Sequence, residues 1–151
     1  MKNILFICTG NTCRSPMAEA LFNLKINSND PWKCSSAGTH AMNGMPASLE
    51  SQVSITKKGG NLKNHKSRLL TNQILSDSDL ILVMTDGHRN FIKENFQDVG
   101  KRVYLINELG TSKIQDIRDP YGKSFENYDH ACNEIEYAVE ELLVFLRLGK
   151  K

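Results

Sequence analysis

The fold is decided by the stretch Ile4-Leu5-Phe6-Ile7-Cys8-Thr9-Gly10-Asn11-Thr12-Cys13-Arg14-Ser15-Pro16. Its apolar start predicts a central strand of a parallel sheet. Gly10-Asn11 predicts a turn, and a helix is predicted to follow with Ser15 as N-cap and Pro16 as its first residue. Where such a loop enters a helix, backbone N–H groups and the helix dipole converge on one point. The stretch therefore predicts an α/β fold with an anion-binding loop.

Cys8 and Arg14 lie within this loop with the spacing Cys-x5-Arg. A helix N-terminus favours the thiolate form of cysteine, which is the nucleophilic form. The guanidinium of Arg14 can contact two phosphate oxygens at once. Gly10 and Asn11 tolerate the positive φ values that let successive N–H groups point inward. We therefore expect a phosphate cradle in which Cys8 attacks phosphorus and Arg14 holds the oxygens.

The composition is that of an ordinary globular protein, with 40% hydrophobic and 24% charged residues. Its 151 residues suit one domain, residues 1–151, and we expect a monomer. The formal charge of +2 is too small to favour a nucleic-acid partner. The apolar run before Gly10 is too short for a signal peptide or a membrane span, so we expect a cytoplasmic protein. There the cysteines should be free thiols; they are Cys8, Cys13, Cys34 and Cys132.

Apolar patterns along the rest of the chain alternate between strand and helix. The predicted strands cover residues 3–8, 32–35, 80–84 and 102–106, and the predicted helices begin near Ser15, Met45, Thr71, Asp86 and Ser124. The first helix should bury Met17, Ala20, Leu21 and Leu24, and the second should bury Met45, Leu49 and Val53. Such alternation predicts a parallel sheet flanked by helices, with ligands at the carboxyl ends of its strands.

Attack by Cys8 also requires a general acid that protonates the leaving group. The long loop from Asn107 to Lys123 carries two candidate carboxylic acids, Asp116 and Asp119. Loops of that length are usually functional. From the residues alone both candidates stay open, and no metal ion is needed for this chemistry.

Three motifs resemble those of the low-molecular-weight protein tyrosine phosphatases, and the similarity spans the whole chain. They are Cys8-Thr9-Gly10-Asn11-Thr12-Cys13-Arg14-Ser15-Pro16-Met17-Ala18-Glu19-Ala20, Ser36-Ala37-Gly38-Thr39 and Asp119-Pro120-Tyr121-Gly122. The resemblance implies a single-domain, four-stranded parallel sheet with helices on both faces. It also implies a protein phosphatase that works through a phosphocysteine without a cofactor. In that scheme Cys8 is the nucleophile, Arg14 the phosphate clamp and Asp119 the general acid.

The resemblance gives roles to further residues. Ser15 would hydrogen-bond the Cys8 thiolate, and Asn11 with Ser36 would brace the loop. Tyr121 and His40 would wall the pocket, although a loop histidine can also simply be solvated. The other members of the substrate-binding set are the loop residues Thr9, Gly10, Thr12 and Cys13.

Two departures from the tyrosine-specific pattern concern the phosphorylated protein substrate. Most tyrosine-specific members have a bulky aliphatic residue where this chain has Thr12, and threonine resembles the protein arginine phosphatases of the family. Gly122 stands where tyrosine-selective members often carry a second aromatic residue after Tyr121. We therefore place phosphoarginine ahead of phosphotyrosine as substrate.

Other readings of the loop remain. A thioredoxin-coupled arsenate reductase shares the loop pattern but needs further cysteines, and the chain has none between Cys34 and Cys132. A non-catalytic phosphoresidue-binding module is disfavoured because nucleophile, clamp and acid are all present. Cys13 could form a reversible disulfide with Cys8 or could only pack beneath the loop. A zinc site is disfavoured because no second ligand pair follows.

Overall fold

A four-stranded parallel sheet forms the centre of the protein, as a computed structural model that describes residues 2–149 shows. The strand order is β2-β1-β3-β4, and every neighbouring pair is parallel. The strands are β1 (Lys2–Cys8), β2 (Trp32–Gly38), β3 (Leu80–Val83) and β4 (Val103–Leu105). The expected four-stranded parallel sheet is confirmed.

Helices connect and cover the strands. They are α1 (Arg14–Lys25), α2 (Leu49–Lys57), α3 (Asn72–Ser76), α4 (Asp86–Asn95) and α5 (Phe125–Arg147), with a 3₁₀ turn over Gly100–Arg102. The apolar stripe of α5 is buried along the length of the helix. Among residues 2–149, none of the helices has both the length and the apolar character required to cross a bilayer.

The two faces of β1 pack against different helices. Ile4 and Phe6 join the core formed with α1, α2 and α5, whereas Leu5 and Ile7 join a second core that includes Ile92 of α4. This alternation follows from the two-residue repeat of a strand. It confirms the prediction of helices on both faces of the sheet.

The predicted start of α1 is wrong by two residues, because the helix begins at Arg14 and not at Pro16. Cys13 occupies the N-cap without a side-chain cap, and Ser15 lies inside the helix. The Ser15 hydroxyl is not available for capping because it bonds the Cys8 sulfur. The buried stripe is also shifted, since Leu24 is 44% exposed and Phe22 is fully buried.

The predicted face of the second helix is wrong as well. α2 begins at Leu49, and the Ser48 hydroxyl caps it by accepting the Ser51 N–H at 3.2 Å. Met45 and Leu49 are exposed, and Ile55 is the apolar residue that α2 buries. α4 begins at Asp86 as predicted, and Thr85 is its N-cap.

Candidate active site

A cleft lies at the carboxyl end of β1, which has β2 on one side in the sheet and β3 on the other. Such switch points are where open α/β sheets bind ligands. The cleft has a volume of about 340 Å³. Its lining residues are Cys8, Thr9, Gly10, Thr12, Cys13, Arg14, Met42, Met45, Asp119 and Tyr121. The structure therefore brings the predicted nucleophile, clamp and acid into one cleft.

Asn11 holds the loop from beneath. It is fully buried with φ of 56°, a left-handed conformation that asparagine tolerates better than most residues. Its Oδ1 accepts the Arg68 N–H at 2.8 Å, which fixes the orientation of the amide because a backbone N–H can only donate. Its own carbonyl oxygen lies 2.7 Å from His65 Nε2. The predicted bracing role of Asn11 is consistent with these contacts.

A directed chain of hydrogen bonds runs from Glu19 to Cys8. The Ser36 hydroxyl donates to a Glu19 carboxylate oxygen at 2.6 Å. Asn11 Nδ2 donates to Ser36 Oγ at 3.0 Å and to Ser15 Oγ at 2.8 Å. With its oxygen already accepting, the Ser15 hydroxyl can give its proton to Cys8 Sγ, which lies 2.9 Å away. The chain is therefore polarised toward a thiolate on Cys8.

Arg14 is the buried cation of the cleft, with 3% of its surface exposed. One guanidinium nitrogen, Nη1, donates to the Ile117 carbonyl at 2.9 Å, and Nη2 lies 3.6 Å from Asp119 Oδ2. Its Nε is buried and has no hydrogen-bond partner among the described residues. A buried N–H without an acceptor costs about 1–3 kcal/mol. Arg14 is therefore poised to donate to an anion in the cleft.

The two candidate acids have different surroundings. Asp119 lines the cleft, its side chain is 51% exposed, and its Oδ1 accepts the Tyr121 N–H at 3.0 Å. Asp116 is not a lining residue; its Oδ1 accepts the Asp86 N–H at 2.9 Å at the start of α4. The geometry thus favours Asp119 as the acid and gives Asp116 the task of anchoring the loop.

The walls differ in part from expectation. Tyr121 is 73% exposed and lines the cleft as predicted. His40 is not among the lining residues; its ring packs on Phe91 with centroids 4.8 Å apart. Met42 and Met45 form the wall instead. The apolar character of Met45 contributed to the wrong face predicted for the second helix, because a methionine that lines a cleft is indistinguishable in sequence from a core residue.

Three further contacts set the shape of the loop and were not predicted. A Cβ on Gly38 would lie 2.4 Å from the Thr9 carbonyl oxygen, so only glycine fits at the end of β2. His88 Nε2 lies 2.9 Å from Thr9 Oγ1. Glu19 follows Ser15 by one helical turn, a spacing that could have indicated its contact with the loop network.

The remaining cysteines are free thiols in the described residues. Cys13 Sγ lies 3.3 Å from the Tyr128 hydroxyl. Burial raises the pKa of the Cys34 thiol above its ordinary value and raises that of Cys132 to about 11, so neither is poised to react. Within residues 2–149, no group of three or more His, Cys, Asp or Glu side chains is arranged to hold a metal ion.

Comparison with known proteins gives consistent matches. A family model described as low molecular weight phosphotyrosine protein phosphatase matches residues 3–151. A protein-arginine-phosphatase of Bacillus subtilis is 33% identical, covering 99% of this chain and 99% of that protein. The low molecular weight protein-tyrosine-phosphatase PtpB of Staphylococcus haemolyticus is 35% identical, with coverage of 92% and 96%.

Solved structures of the YwlE arginine phosphatase have the same fold. The structure from Geobacillus stearothermophilus has a TM-score of 0.93 at 33% identity, covering 99% of this chain and 96% of that one. A cysteine-to-serine YwlE variant, whose active-site serine is phosphorylated, has a TM-score of 0.91 at 33% identity, with coverage of 96% and 95%.

Proposed function

Because the chain belongs to the low molecular weight phosphotyrosine protein phosphatase family, we propose that it hydrolyses phosphorylated protein side chains through a phosphocysteine on Cys8. The chain is a hydrolase of this family, and its substrates are phosphorylated proteins. The phosphorylated serine of the YwlE variant supports a covalent intermediate at the corresponding position here.

The observation that carries the proposal is the unpaired Nε of Arg14. A guanidinium buried to this degree normally has all its N–H groups satisfied. Here Arg14 borders the same cleft as Cys8 and other residues of the loop between them. A phosphoryl group in the cleft would supply the missing acceptor and place phosphorus next to the nucleophile.

In the first step the Cys8 thiolate attacks phosphorus. A P–S bond forms, the bond from phosphorus to the leaving oxygen or nitrogen breaks, and Asp119 gives its proton to that leaving atom. Arg14 and the loop N–H groups hold the three equatorial oxygens. The negative phosphoryl group would also compete with the Asp119 carboxylate for the Arg14 guanidinium, which lies 3.6 Å from it.

In the second step water attacks the phosphocysteine. Asp119, now a carboxylate, takes a proton from the water, a P–O bond forms and the P–S bond breaks. Inorganic phosphate leaves, and Cys8 returns to the thiolate that Ser15 stabilises. The half-exposed position of Asp119 gives water access to this step.

We further propose that phosphoarginine is the preferred substrate. Thr12 lines the cleft. Its small side chain leaves room for a guanidinium, and its hydroxyl can form a hydrogen bond with that group. Relatives of similar identity are named for arginine and for tyrosine, so the preference rests on Thr12. A cytoplasmic, monomeric enzyme is also proposed, since Cys8 must stay reduced to act.

The test measures kcat/KM for one peptide carrying phosphoarginine or phosphotyrosine, with a reductant present. We expect turnover of both and a ratio well above one in favour of phosphoarginine. Cys8→Ser should abolish turnover and retain phosphate binding, whereas turnover near wild type would exclude Cys8 as nucleophile. Asp119→Asn should slow substrates with poor leaving groups far more than activated aryl phosphates; an equal loss would exclude Asp119 as the acid.

A further inference from the structure

His88 contacts the active-site loop but has no part in the steps above. It lies on α4, only 7% of its surface is exposed, and its Nε2 is 2.9 Å from Thr9 Oγ1. Thr9 lines the cleft. A buried side chain of α4 is therefore hydrogen-bonded to the wall of the phosphate site.

The contacts of His88 Nδ1 determine which of the two ring nitrogens carries the proton. His88 Nδ1 accepts the Thr85 backbone N–H at 3.2 Å, and Thr85 Oγ1 lies 3.1 Å from the same nitrogen. A backbone N–H can only donate, so Nδ1 must be unprotonated. A proton on Nδ1 would leave the Thr85 N–H without its acceptor. The neutral ring therefore carries its hydrogen on Nε2.

This assignment fixes the Thr9 hydroxyl as well. His88 Nε2–H donates to Thr9 Oγ1, so the hydroxyl oxygen accepts and its own hydrogen must find another acceptor. Among residues 2–149 the Thr9 side chain has His88 as its single hydrogen-bond partner. The Thr9 carbonyl is held separately by the His40 N–H at 2.9 Å. The free hydroxyl proton is left to an acceptor within the cleft.

We propose that His88 is a positioning residue that makes the Thr9 hydroxyl an additional hydrogen-bond donor to the phosphoryl oxygens. The inference rests on the proposed function, since it requires a phosphoryl group in the cleft. Burial, together with the charge of Arg14, lowers the pKa of His88 to about 4, although Asp119 opposes this shift and His40 adds to it. The ring is therefore neutral at working pH and keeps the required tautomer.

The experiment measures the Kd of inorganic phosphate by calorimetry for wild type, Thr9→Val, His88→Asn and the double variant. Asparagine can keep the Nδ1-side acceptor for Thr85 but is too short to reach Thr9. Each single variant should weaken binding about tenfold, as expected for one hydrogen bond to a charged group. The double variant should bind no more weakly than either single variant, because both changes remove the same hydrogen bond.

His88→Gln is the conservative control, since its amide N–H can occupy the place of Nε2–H. It should bind phosphate within about threefold of wild type, a fraction of the loss of one such hydrogen bond. In turnover, Thr9→Val and His88→Asn should raise KM with little change in kcat, because the bond is present with substrate and transition state alike. If the role of His88 were merely structural, His88→Asn would instead lower kcat and the thermal stability. Its effect would then not depend on whether Thr9 is present.

Losses that add in the double variant, or no loss in Thr9→Val, would overturn the inference. So would a His88→Gln protein that binds phosphate as weakly as His88→Asn. Turnover by wild type tests the proposed function independently, because the binding assay needs no catalysis. A wild-type protein that binds phosphate with this coupling but hydrolyses no substrate would retain the inference and refute the proposed function. Absence of phosphate binding by wild type would refute both.

Discussion

Asn11→Asp isolates the polarity of the hydrogen-bond chain beneath Cys8. Aspartate has nearly the volume of asparagine and also tolerates the positive φ at this position. It cannot donate, however, so the Ser15 hydroxyl must turn and donate to the new carboxylate instead of to Cys8. The substitution therefore reverses the chain while the packing of the loop stays nearly the same.

The size of the effect follows from two terms. A hydrogen bond to a charged group contributes about 1.5–3 kcal/mol, so its loss alone should slow nucleophilic attack by the Cys8 sulfur roughly 30-fold. The carboxylate would also lie within about 6 Å of the sulfur, as the links of 2.8 and 2.9 Å through Ser15 require. At an effective dielectric of about 20, repulsion at that distance adds about 3 kcal/mol unless the aspartate binds a proton.

The assay is the rate of Cys8 alkylation by iodoacetamide at pH 7, measured in parallel with kcat/KM. Both should fall at least about 30-fold in Asn11→Asp. Ser15→Ala removes the donor without adding a charge and should show only the first part of the loss. If Asn11→Asp alkylates and turns over within about threefold of wild type, far below the loss of one charged hydrogen bond, the polarity deduced from Glu19 and Arg68 is wrong.

Three other substitutions test separate parts of the structure. Gly38→Ala places a methyl group 2.4 Å from the Thr9 carbonyl oxygen, so activity should fall more than tenfold and the melting temperature should drop, as measured by calorimetry. Thr12→Ile should shift the kcat/KM ratio toward phosphotyrosine, and an unchanged ratio would show that Thr12 does not set the preference. The pKa of His88 is about 4 in the folded state against about 6.5 in the unfolded state. The neutral ring therefore stabilises the folded state above pH 6.5, and the free energy of unfolding should fall by about 3 kcal/mol between pH 6.5 and 4. Urea unfolding at both pH values should show this loss in wild type and not in His88→Gln, with the exposed His130→Gln behaving as wild type.

Local apolar patterns predicted the sheet and the last helix because, in both, the apolar residues are the buried ones. The apolar run that ends at Cys8 is a central strand, and the stripe of α5 faces the core. The same reasoning failed for α2, where Met45 and Leu49 are apolar but exposed. Apolar residues that line a cleft or its rim are indistinguishable in sequence from core residues.

The catalytic motif was recognised from residues that are close in sequence, whereas its supports come from distant elements. His88 reaches Thr9 across 79 positions, and Arg68 reaches Asn11 across 57. No spacing rule predicts such contacts, because they depend on how α4 and the segment after β2 pack against the loop. The failed Ser15 cap has a different origin, since the Ser15 hydroxyl bonds the nearby Cys8 sulfur instead of a backbone N–H at the start of the helix.

The proposed clamp Arg14 and the proposed acid Asp119 are connected through Ile117, and this explains how a long loop can hold Asp119 at the cleft. Ile117 is fully buried; its N–H donates to the Met84 carbonyl at 2.8 Å and its carbonyl accepts from Arg14 at 2.9 Å. Asp119 follows Ile117 by two residues. The hydrogen bond from Arg14 to the Ile117 carbonyl therefore also helps to position Asp119 at the cleft. The Arg14 side chain is thereby held in a buried position, whereas the Asp119 carboxyl remains half exposed. Under the proposed function, this arrangement would hold the phosphoryl group at Arg14 while Asp119 meets first the leaving group and then a water.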